Sequence, residues 1–172
     1  ITVQNTLGVQ AVHPVPLDIL EGQIDAVLSD IGADAIKIGM LHSAEVVNLV
    51  ADMIGKYEIR NVVLDPVMVS TSGHRLIEEN AVEVIIRRLM PLARVITPNI
   101  PEAEILSGLK IGNKEDMLAA AKKIGDTYHC SVLLKGGHSI NDANDLLYAD
   151  GEMVWFEGKR IDNPNTHGTG CT

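Results

Sequence analysis

The sequence predicts an α/β fold with a mostly parallel sheet. Short apolar, β-branched segments alternate with segments whose apolar residues recur at helical spacing, and this helix-then-strand unit occurs four times between residues 17 and 135. Strands this apolar are typical of sheets that are buried on both faces, and helices that cross between parallel strands bury them. Shorter strands and turns follow residue 135, so we expect an antiparallel edge on the sheet.

The first forty residues predict two short strands, a helix and a third strand. Residues 1–6 and 9–13 have strand-like composition, with a turn between them and prolines after them. The following helix ends near Gly32, and residues 35–38 form the next strand. The apolar face of this helix consists of Leu20, Ile24, Val27, Leu28 and Ile31.

Three further units of the same kind follow. Ser43 and Asn113 are suitable N-caps for the first and third of these helices, because their side-chain oxygens can accept a backbone N–H. The predicted strands are residues 61–64, 94–97 and 131–135. The predicted apolar helix faces are Val46, Leu49, Val50, Met53 and Ile54, then Val82, Ile85, Ile86 and Leu89, and finally Met117, Ala120, Ala121 and Ile124.

The last third of the chain predicts a hairpin. Residues 145–149 and 153–156 are apolar segments on either side of Asp150-Gly151, a strong signal for a tight turn between antiparallel strands. Residues 159–161 suggest another short strand. The sequence contains no internal repeat and no linker, so we expect one domain over residues 1–172.

Composition limits the possible partners. Hydrophobic residues make up 46% of the 172 residues, and the formal net charge of −9 argues against nucleic acid or an anionic membrane as a partner. The cysteines Cys130 and Cys171 form no Cys-x-x-Cys pair, which favours a reducing cytoplasm over a disulfide framework or a zinc site. The first residue is Ile rather than Met, and the chain stops just after Cys171. We therefore expect the domain to be incomplete at both its N-terminal and its C-terminal end.

Residues 165–172 predict an anion site. Gly168 and Gly170 on either side of Thr169 allow backbone amides to turn toward one point, and the small polar residues that follow suit a helix start. A Gly-x-Gly pair is more often an ordinary turn, so this pattern alone is weak evidence. Cys171 strengthens it, because a thiol beside such amides has raised acidity.

The ends of the predicted parallel strands carry polar side chains. Asp65, Asn99 with Glu102, and Lys135 each follow a strand, and in such sheets the carboxyl ends of strands collect the functional groups. Singly, Asp65 and Asn99 also suit ordinary turns before prolines. Together, Asp65 and Glu102 could hold Mg²⁺, and Lys135 could offset phosphate charge. We expect Asp65, Asn99, Lys135 and Gly168 to line one edge of the sheet.

Several motifs, in order along the whole chain, resemble the hydroxymethylpyrimidine/phosphomethylpyrimidine kinases of thiamine biosynthesis. These enzymes belong to the ribokinase-like superfamily. The resemblance implies a three-layer α/β/α domain, two successive phosphoryl transfers from ATP to an aminopyrimidine, and a homodimer. The motifs are Gln4-Asn5-Thr6, residues 37–41, Leu64-Asp65-Pro66-Val67-Met68, residues 97–104, Lys135-Gly136-Gly137-His138 and residues 165–172.

The resemblance also implies roles for individual residues. Cys171 lies where most ribokinase-like enzymes have an aspartate base, a tolerable change because phosphoryl transfer depends mainly on positioning and charge stabilisation. The family's N-terminal glycine-rich segment and its helices after the anion hole have no counterpart in these residues. The implied roles are pyrimidine contacts at Gln4, Met40 and Val67, phosphate and Mg²⁺ at Asp65 and Glu102, ATP at Asn99, Lys135 and Thr169, and an anion hole at Gly168, Thr169 and Gly170.

Three other interpretations remain open. A pyridoxal kinase of the same superfamily is the nearest, although residues 69–73 lack the lid cysteine of some such enzymes. A cysteine nucleophile at Cys171, activated by His167, is a second, and it requires the two side chains to come within hydrogen-bond reach. A non-catalytic nucleotide-binding module is the third; it would keep the anion site but would have no use for an acidic thiol.

Overall fold

The structure is a computed structural model that describes residues 1–5, 8–68, 77–137 and 144–158. Its centre is a six-stranded sheet in which the strand order follows the chain order. The first four strands are parallel to one another, and each of the last two is antiparallel to the strand before it. Both the predicted α/β class and the predicted antiparallel edge are therefore confirmed. The strands of this sheet are β3 (Ile36–Ile38), β4 (Val62–Leu64), β5 (Val95–Ile96), β6 (Ser131–Leu134), β7 (Asp145–Ala149) and β8 (Glu152–Phe156).

A separate two-stranded sheet opens the chain. It pairs β1 (Thr2–Asn5) with β2 (Gly8–Val12) in antiparallel fashion. Both strands were predicted from the sequence, but their pairing was not. All four residues of β1 are exposed to solvent. This hairpin therefore adds little to the apolar core.

Five α-helices connect the strands in the described residues. Ser43 caps α2 by accepting from the Val46 amide, and Asn113 caps α5 by accepting from the Asp116 amide, both as predicted. None of the helices in the described part of the chain combines the length and apolarity needed to span a bilayer. The helices are α1 (Leu17–Asp30), α2 (Ala44–Lys56), α3 (Glu79–Val84), α4 (Ile100–Ser107) and α5 (Lys114–Tyr128).

The helix predicted around residues 82–89 changes geometry along its length. After α3 the backbone forms a π-helical turn over Ile85–Leu89 and then a 3₁₀ turn over Met90–Leu92. Pro91 has no backbone N–H, and its ring would clash with a carbonyl of the preceding helical turn. A regular α-helix is therefore interrupted there. The apolar face remains correct, because Ile85, Leu89 and Met90 are buried.

Helix α4 was not predicted from the sequence, which pointed only to polar residues at a strand end. Two local signals were nevertheless present. Asn99 and Glu102 form a reciprocal capping box, and Pro101 lies in the first helical turn. Gly108 ends the helix in the left-handed region at φ 67°.

The core lies between the sheet and the helices that cover it. The strand residues Val62, Ile96, Val132, Leu134 and Leu146 have no exposed surface. Helices α2 and α5 bury one face each, whereas α1 contains no buried residue. The least accessible part of the sheet is therefore formed by β4 to β7, and the ends of those strands are held by a rigid core.

Candidate active site

The carboxyl ends of β4, β5 and β6 are held in register beyond the strands themselves. The Asp65 amide donates to the Ile38 carbonyl at 2.8 Å, and the Thr97 amide donates to the Leu64 carbonyl at 2.9 Å. The Lys135 amide donates to the Pro98 carbonyl at 2.8 Å, and Lys135 also forms a parallel bridge with Asn99. Because the backbone is fixed at each position, the side chains that follow these strands have defined places. We call the group Asp65, Asn99, Glu102 and Lys135 the rim.

An ion pair joins the rim residues that follow β4 and β6. The Lys135 ammonium donates to Asp65 Oδ1 at 2.9 Å, and only 5% of the Asp65 side chain and 24% of the Lys135 side chain are exposed. A carboxylate this buried is costly to desolvate unless a cation compensates it. Lys135 supplies that compensation, and its ammonium has further hydrogens to donate.

Glu102 connects the loop after β4 with the residues that follow β5. Its Oε2 accepts from the Asn99 amide at 2.9 Å and its Oε1 accepts from the Met68 amide at 3.5 Å, while Asn99 Oδ1 accepts from the Glu102 amide at 2.9 Å. Burial raises the pKa of the Glu102 carboxyl, and the nearby Asp65 charge adds to this. The pKa is lowered in part by the hydrogen bond from the Asn99 amide, by the charge of Lys135 and by the hydrogen bond from the Met68 amide.

The rim suits a Mg²⁺ ion that is shared with phosphate groups. Mg²⁺ is commonly held by one or two carboxylates together with substrate phosphates and waters, and Asp65 and Glu102 are two buried carboxylates at one edge of the sheet. Within the described ranges no cluster of three or more His, Cys, Asp or Glu residues could hold a metal by itself. Asp65 and Glu102 could therefore hold Mg²⁺ together with phosphate oxygens and waters.

The predicted substrate contacts lie in two places. Met40 follows β3 and Val67 follows β4, and both are half-buried. The Val67 amide donates to the Asp65 carbonyl at 2.8 Å, so this loop is anchored to a rim residue. Gln4 is exposed on β1, whose strand partner is β2. Met40 and Val67 thus follow two neighbouring parallel strands at the same edge of the sheet as the rim, whereas Gln4 lies on a different sheet, and the pyrimidine contacts of all three stay predictions.

The predicted anion hole lies outside the described residues. This applies to Gly168, Thr169, Gly170 and Cys171, and also to His138 and His167. Their roles remain predictions, and so does the expected position of Gly168 on the same edge of the sheet as the rim.

Two residues near the backbone that follows Lys135 were missed from the sequence. Asp145 Oδ1 accepts from the Gly136 amide at 2.8 Å, directly after Lys135. Asn144 Oδ1 accepts from the Gly158 amide at 3.0 Å. The available signal was the Asn-Asp pair at the start of the predicted strand over 145–149, since such side chains commonly bond to nearby backbone groups.

The fold and the rim together indicate the class of protein to which the chain belongs. The mostly parallel sheet with helices, the separate antiparallel hairpin and the similarity to solved kinase structures together assign the chain to the three-layer, ribokinase-like α/β fold. The family model for phosphomethylpyrimidine kinase matches residues 1–172. The chain belongs to that family, as the sequence motifs indicated.

Individual relatives agree with this assignment. The hydroxymethylpyrimidine/phosphomethylpyrimidine kinase of Haemophilus influenzae is 43% identical over 177 residues, which cover 100% of this chain and 66% of the relative. The enzyme of the same name from Bacillus subtilis is 40% identical over 174 residues, covering 100% of this chain and 64% of the relative. The chain therefore spans slightly under two thirds of the length of these curated relatives.

Solved structures include both kinds of kinase. A phosphomethylpyrimidine kinase from Clostridium difficile superposes with a TM-score of 0.82 at 41% identity, covering 91% of this chain and 68% of that one. A pyridoxal kinase from Bacillus subtilis, solved as an ADP complex, gives a TM-score of 0.86 at 35% identity, covering 99% of this chain and 65% of that one. Similarity in fold does not separate the two activities.

Proposed function

We propose that the protein is an ATP-dependent kinase of thiamine biosynthesis. It phosphorylates 4-amino-5-hydroxymethyl-2-methylpyrimidine and then converts the monophosphate to the diphosphate. The observation that carries this proposal is the ion pair between the buried Asp65 carboxylate and the partly exposed Lys135, with the buried Glu102 at the same carboxyl edge of the sheet. Relatives named as kinases for this pyrimidine support the choice of substrate.

The rim would act mainly by positioning and by stabilising charge. In the free protein Lys135 compensates Asp65, and its remaining hydrogens can be donated to a phosphate oxygen of ATP. Bound Mg²⁺, held by Asp65 and Glu102, would neutralise charge on the phosphates. Phosphoryl transfer requires little covalent chemistry from the protein, so this electrostatic arrangement would provide most of the catalysis.

The remaining predicted residues complete the proposed site. Backbone amides of Gly168, Thr169 and Gly170 would hold the transferred phosphoryl group, as unpaired amides at a helix start favour an anion. Met40 and Val67 would contact the pyrimidine ring, with Gln4 as a polar contact from the β1–β2 hairpin. We further propose that the enzyme works as a homodimer in the cytoplasm.

The alternative substrate is pyridoxal, and the structural relatives favour it enough to require a test. Several superposing structures are pyridoxal kinases, including one from Staphylococcus aureus in complex with AMP-PCP and pyridoxal at a TM-score of 0.83. The deciding experiment is a coupled assay of ATP consumption on the full-length natural protein with hydroxymethylpyrimidine and with pyridoxal. We expect the higher kcat/KM with hydroxymethylpyrimidine. A higher value with pyridoxal would reassign the substrate, and nucleotide binding without turnover would favour the non-catalytic module.

The role of Cys171 is tested separately. If the thiol is a weak base, Cys171→Ala lowers kcat by roughly 10² to 10⁴ and leaves ATP affinity nearly unchanged. Cys171→Asp then recovers part of the rate, because a carboxylate can also accept the hydroxyl proton. A covalent adduct on Cys171 in enzyme quenched during turnover, measured by mass spectrometry, together with an inactive Cys171→Asp variant, would instead indicate a nucleophile.

A further inference from the structure

We propose that Asp145 is a positioning residue for Lys135. By holding the Gly136 amide, Asp145 fixes the backbone on which the Lys135 ammonium is carried to Asp65. The inference rests on the proposed function, because it assigns Asp145 a part in the kinase reaction at the rim.

The sheet register places Asp145 beside the end of β6. The antiparallel ladder between β6 and β7 ends with Leu134 opposite Leu146, so the next positions along the two strands are Lys135 and Asp145. On the opposite side of β6, the Lys135 amide is bonded to the Pro98 carbonyl at 2.8 Å. The Gly136 amide turns toward β7 and donates to Asp145 Oδ1 at 2.8 Å. Consecutive amides are therefore held from two different neighbouring strands.

The backbone that follows Lys135 packs closely against the residues that precede β7. A Cβ at Gly136 would lie 2.1 Å from the Asn144 carbonyl oxygen, so the two chain segments approach more closely than a side chain permits. Gly137 has φ 88°, which glycine adopts without strain. Asn144 itself is anchored, because its Oδ1 accepts from the Gly158 amide at 3.0 Å. The Asp145 hydrogen bond thus acts on a turn that is already closely packed.

The chemistry of Asp145 suits this role. A hydrogen bond from a backbone N–H to an ionised carboxylate is stronger than one between neutral groups. Without it the β6 end could separate from β7, and the long flexible Lys135 side chain would sample positions away from Asp65. Catalytic groups misplaced by about 1 Å can lose roughly 10² in rate, so a distant hydrogen bond of this kind can affect turnover.

The test compares variants of the full-length natural protein. We expect Asp145→Ala to lower kcat by about 10-fold to 10²-fold with a smaller change in the KM for ATP. Asp145→Asn, which keeps an acceptor oxygen, should stay within about threefold of the unmodified enzyme. If Asp145→Ala does not fold, Asp145→Val replaces it, since valine suits a strand and has no acceptor.

Asp126→Ala is the matched control. Asp126 is also a carboxylate beside β7, and it accepts from the Tyr148 hydroxyl at 2.6 Å, away from the rim. Its removal should lower the melting temperature without changing kcat per folded molecule. Equal kinetic losses in Asp126→Ala and Asp145→Ala would overturn the proposal, because a general loss of stability would then explain both.

A double-mutant cycle identifies the residue through which Asp145 acts. In a Lys135→Met background, Asp145→Ala should lower kcat less than twofold further, because the positioned group is already absent. A full additional loss in that background would show that Asp145 acts independently of Lys135, and the proposal would be wrong.

An activity-independent measurement separates this inference from the proposed function. Amide hydrogen exchange at Gly136 should become at least about tenfold faster in Asp145→Ala and remain close to normal in Asp145→Asn and Asp126→Ala. Unchanged exchange at Gly136 in Asp145→Ala would refute the inference even in an active kinase. If the unmodified enzyme phosphorylates neither hydroxymethylpyrimidine nor pyridoxal, the proposed function fails, whatever the exchange shows.

Discussion

The two ends of the central sheet hold polar groups in different ways. At the carboxyl ends of the parallel strands, Asp65 and Lys135 form an ion pair whose carboxylate side chain is only 5% exposed. At the amino ends, Arg94 donates to Asn61 Oδ1 at 2.7 Å, and Asn61 donates to the Asp34 carbonyl at 2.8 Å, both in exposed positions. The same parallel strands therefore carry a buried charged cluster at one edge and a solvated hydrogen-bond chain at the other.

The difference in burial between the two edges indicates which edge carries the function. Burying a charge costs several kcal/mol before compensation, and a buried pair is often no more stable than apolar residues of the same volume. Exposed polar bonds at the amino edge carry little of that cost. Because such a buried charge contributes little net stability, the Asp65–Lys135 pair at the carboxyl edge points to binding or catalysis.

The largest expected effect is the loss of the rim cation. Lys135→Met removes the charge that faces Asp65 and the proposed phosphates, and we expect kcat to fall by roughly 10² to 10³. Lys56→Met is the control, because Lys56 pairs with Asp25 at the exposed surface. Steady-state kinetics of both full-length variants provide the measurement. A similar loss of kcat in Lys56→Met would remove the distinction between the buried pair and a surface pair.

The next effect compares two helix caps. Asn99 and Asn113 each accept a backbone amide at 2.9 Å at the start of a helix, but only Asn99 belongs to the rim. Each Asn→Ala change should cost about 1 kcal/mol of stability in a denaturant titration. We expect only Asn99→Ala to lower kcat/KM for ATP, by about 3-fold to 10-fold, which corresponds to one hydrogen bond. An equal kinetic change in Asn113→Ala would indicate that stability alone is being measured.

A smaller effect concerns pH and uses two glutamates of α4. Burial raises the pKa of Glu102 above its ordinary 4.5, whereas the Ile111 amide, with help from Lys110, lowers the pKa of Glu104 below 4.5. Between 4.5 and the raised pKa of Glu102, the folded protein binds more protons than the unfolded chain, so this group lowers stability as pH rises. Glu104 does the reverse: its contribution is present above pH 4.5 and is lost as pH falls through its lowered pKa.

The corresponding variants should therefore change in opposite directions. As pH rises from below 4.5, Glu102→Gln should gain stability relative to the unmodified protein, and Glu104→Gln should lose it. Unfolding free energies of the two full-length variants across the acid range test this. Parallel curves for the two variants would contradict the assigned difference between the buried Glu102 carboxylate and the hydrogen-bonded Glu104 carboxylate.

The smallest effect is expected at the amino edge. Arg94→Gln removes the exposed bond to Asn61, and we expect a change within about 0.5 kcal/mol in stability. The same variant should have unchanged kcat and KM, because Arg94 lies at the edge of the sheet opposite to the rim. A tenfold kinetic loss in Arg94→Gln would show that both edges contribute to function.

Local signals predicted much of the fold. Helix α5 begins at its Asn113 cap and buries Met117 and Ile124 as the periodicity indicated. The hairpin of β7 and β8 turns at Asp150 and Gly151, which have φ of 52° and 82° and therefore the conformation that this dipeptide favours. Helix α4 was missed because only one turn of apolar spacing follows its capping box, too little for a periodicity to be recognised.

The sequence by itself determined the alternation of helices and strands, the helix caps and the residue types at the strand ends, because each depends on neighbours a few positions away. The single domain with incomplete ends, the anion hole at residues 168–170 and the role of Cys171 remain predictions. Only the tertiary structure decided that Asp65 meets Lys135, 70 positions along the chain, and that Asp145 holds the turn behind it. Such contacts depend on strand order and register, which the packing of the whole core selects and no short segment encodes.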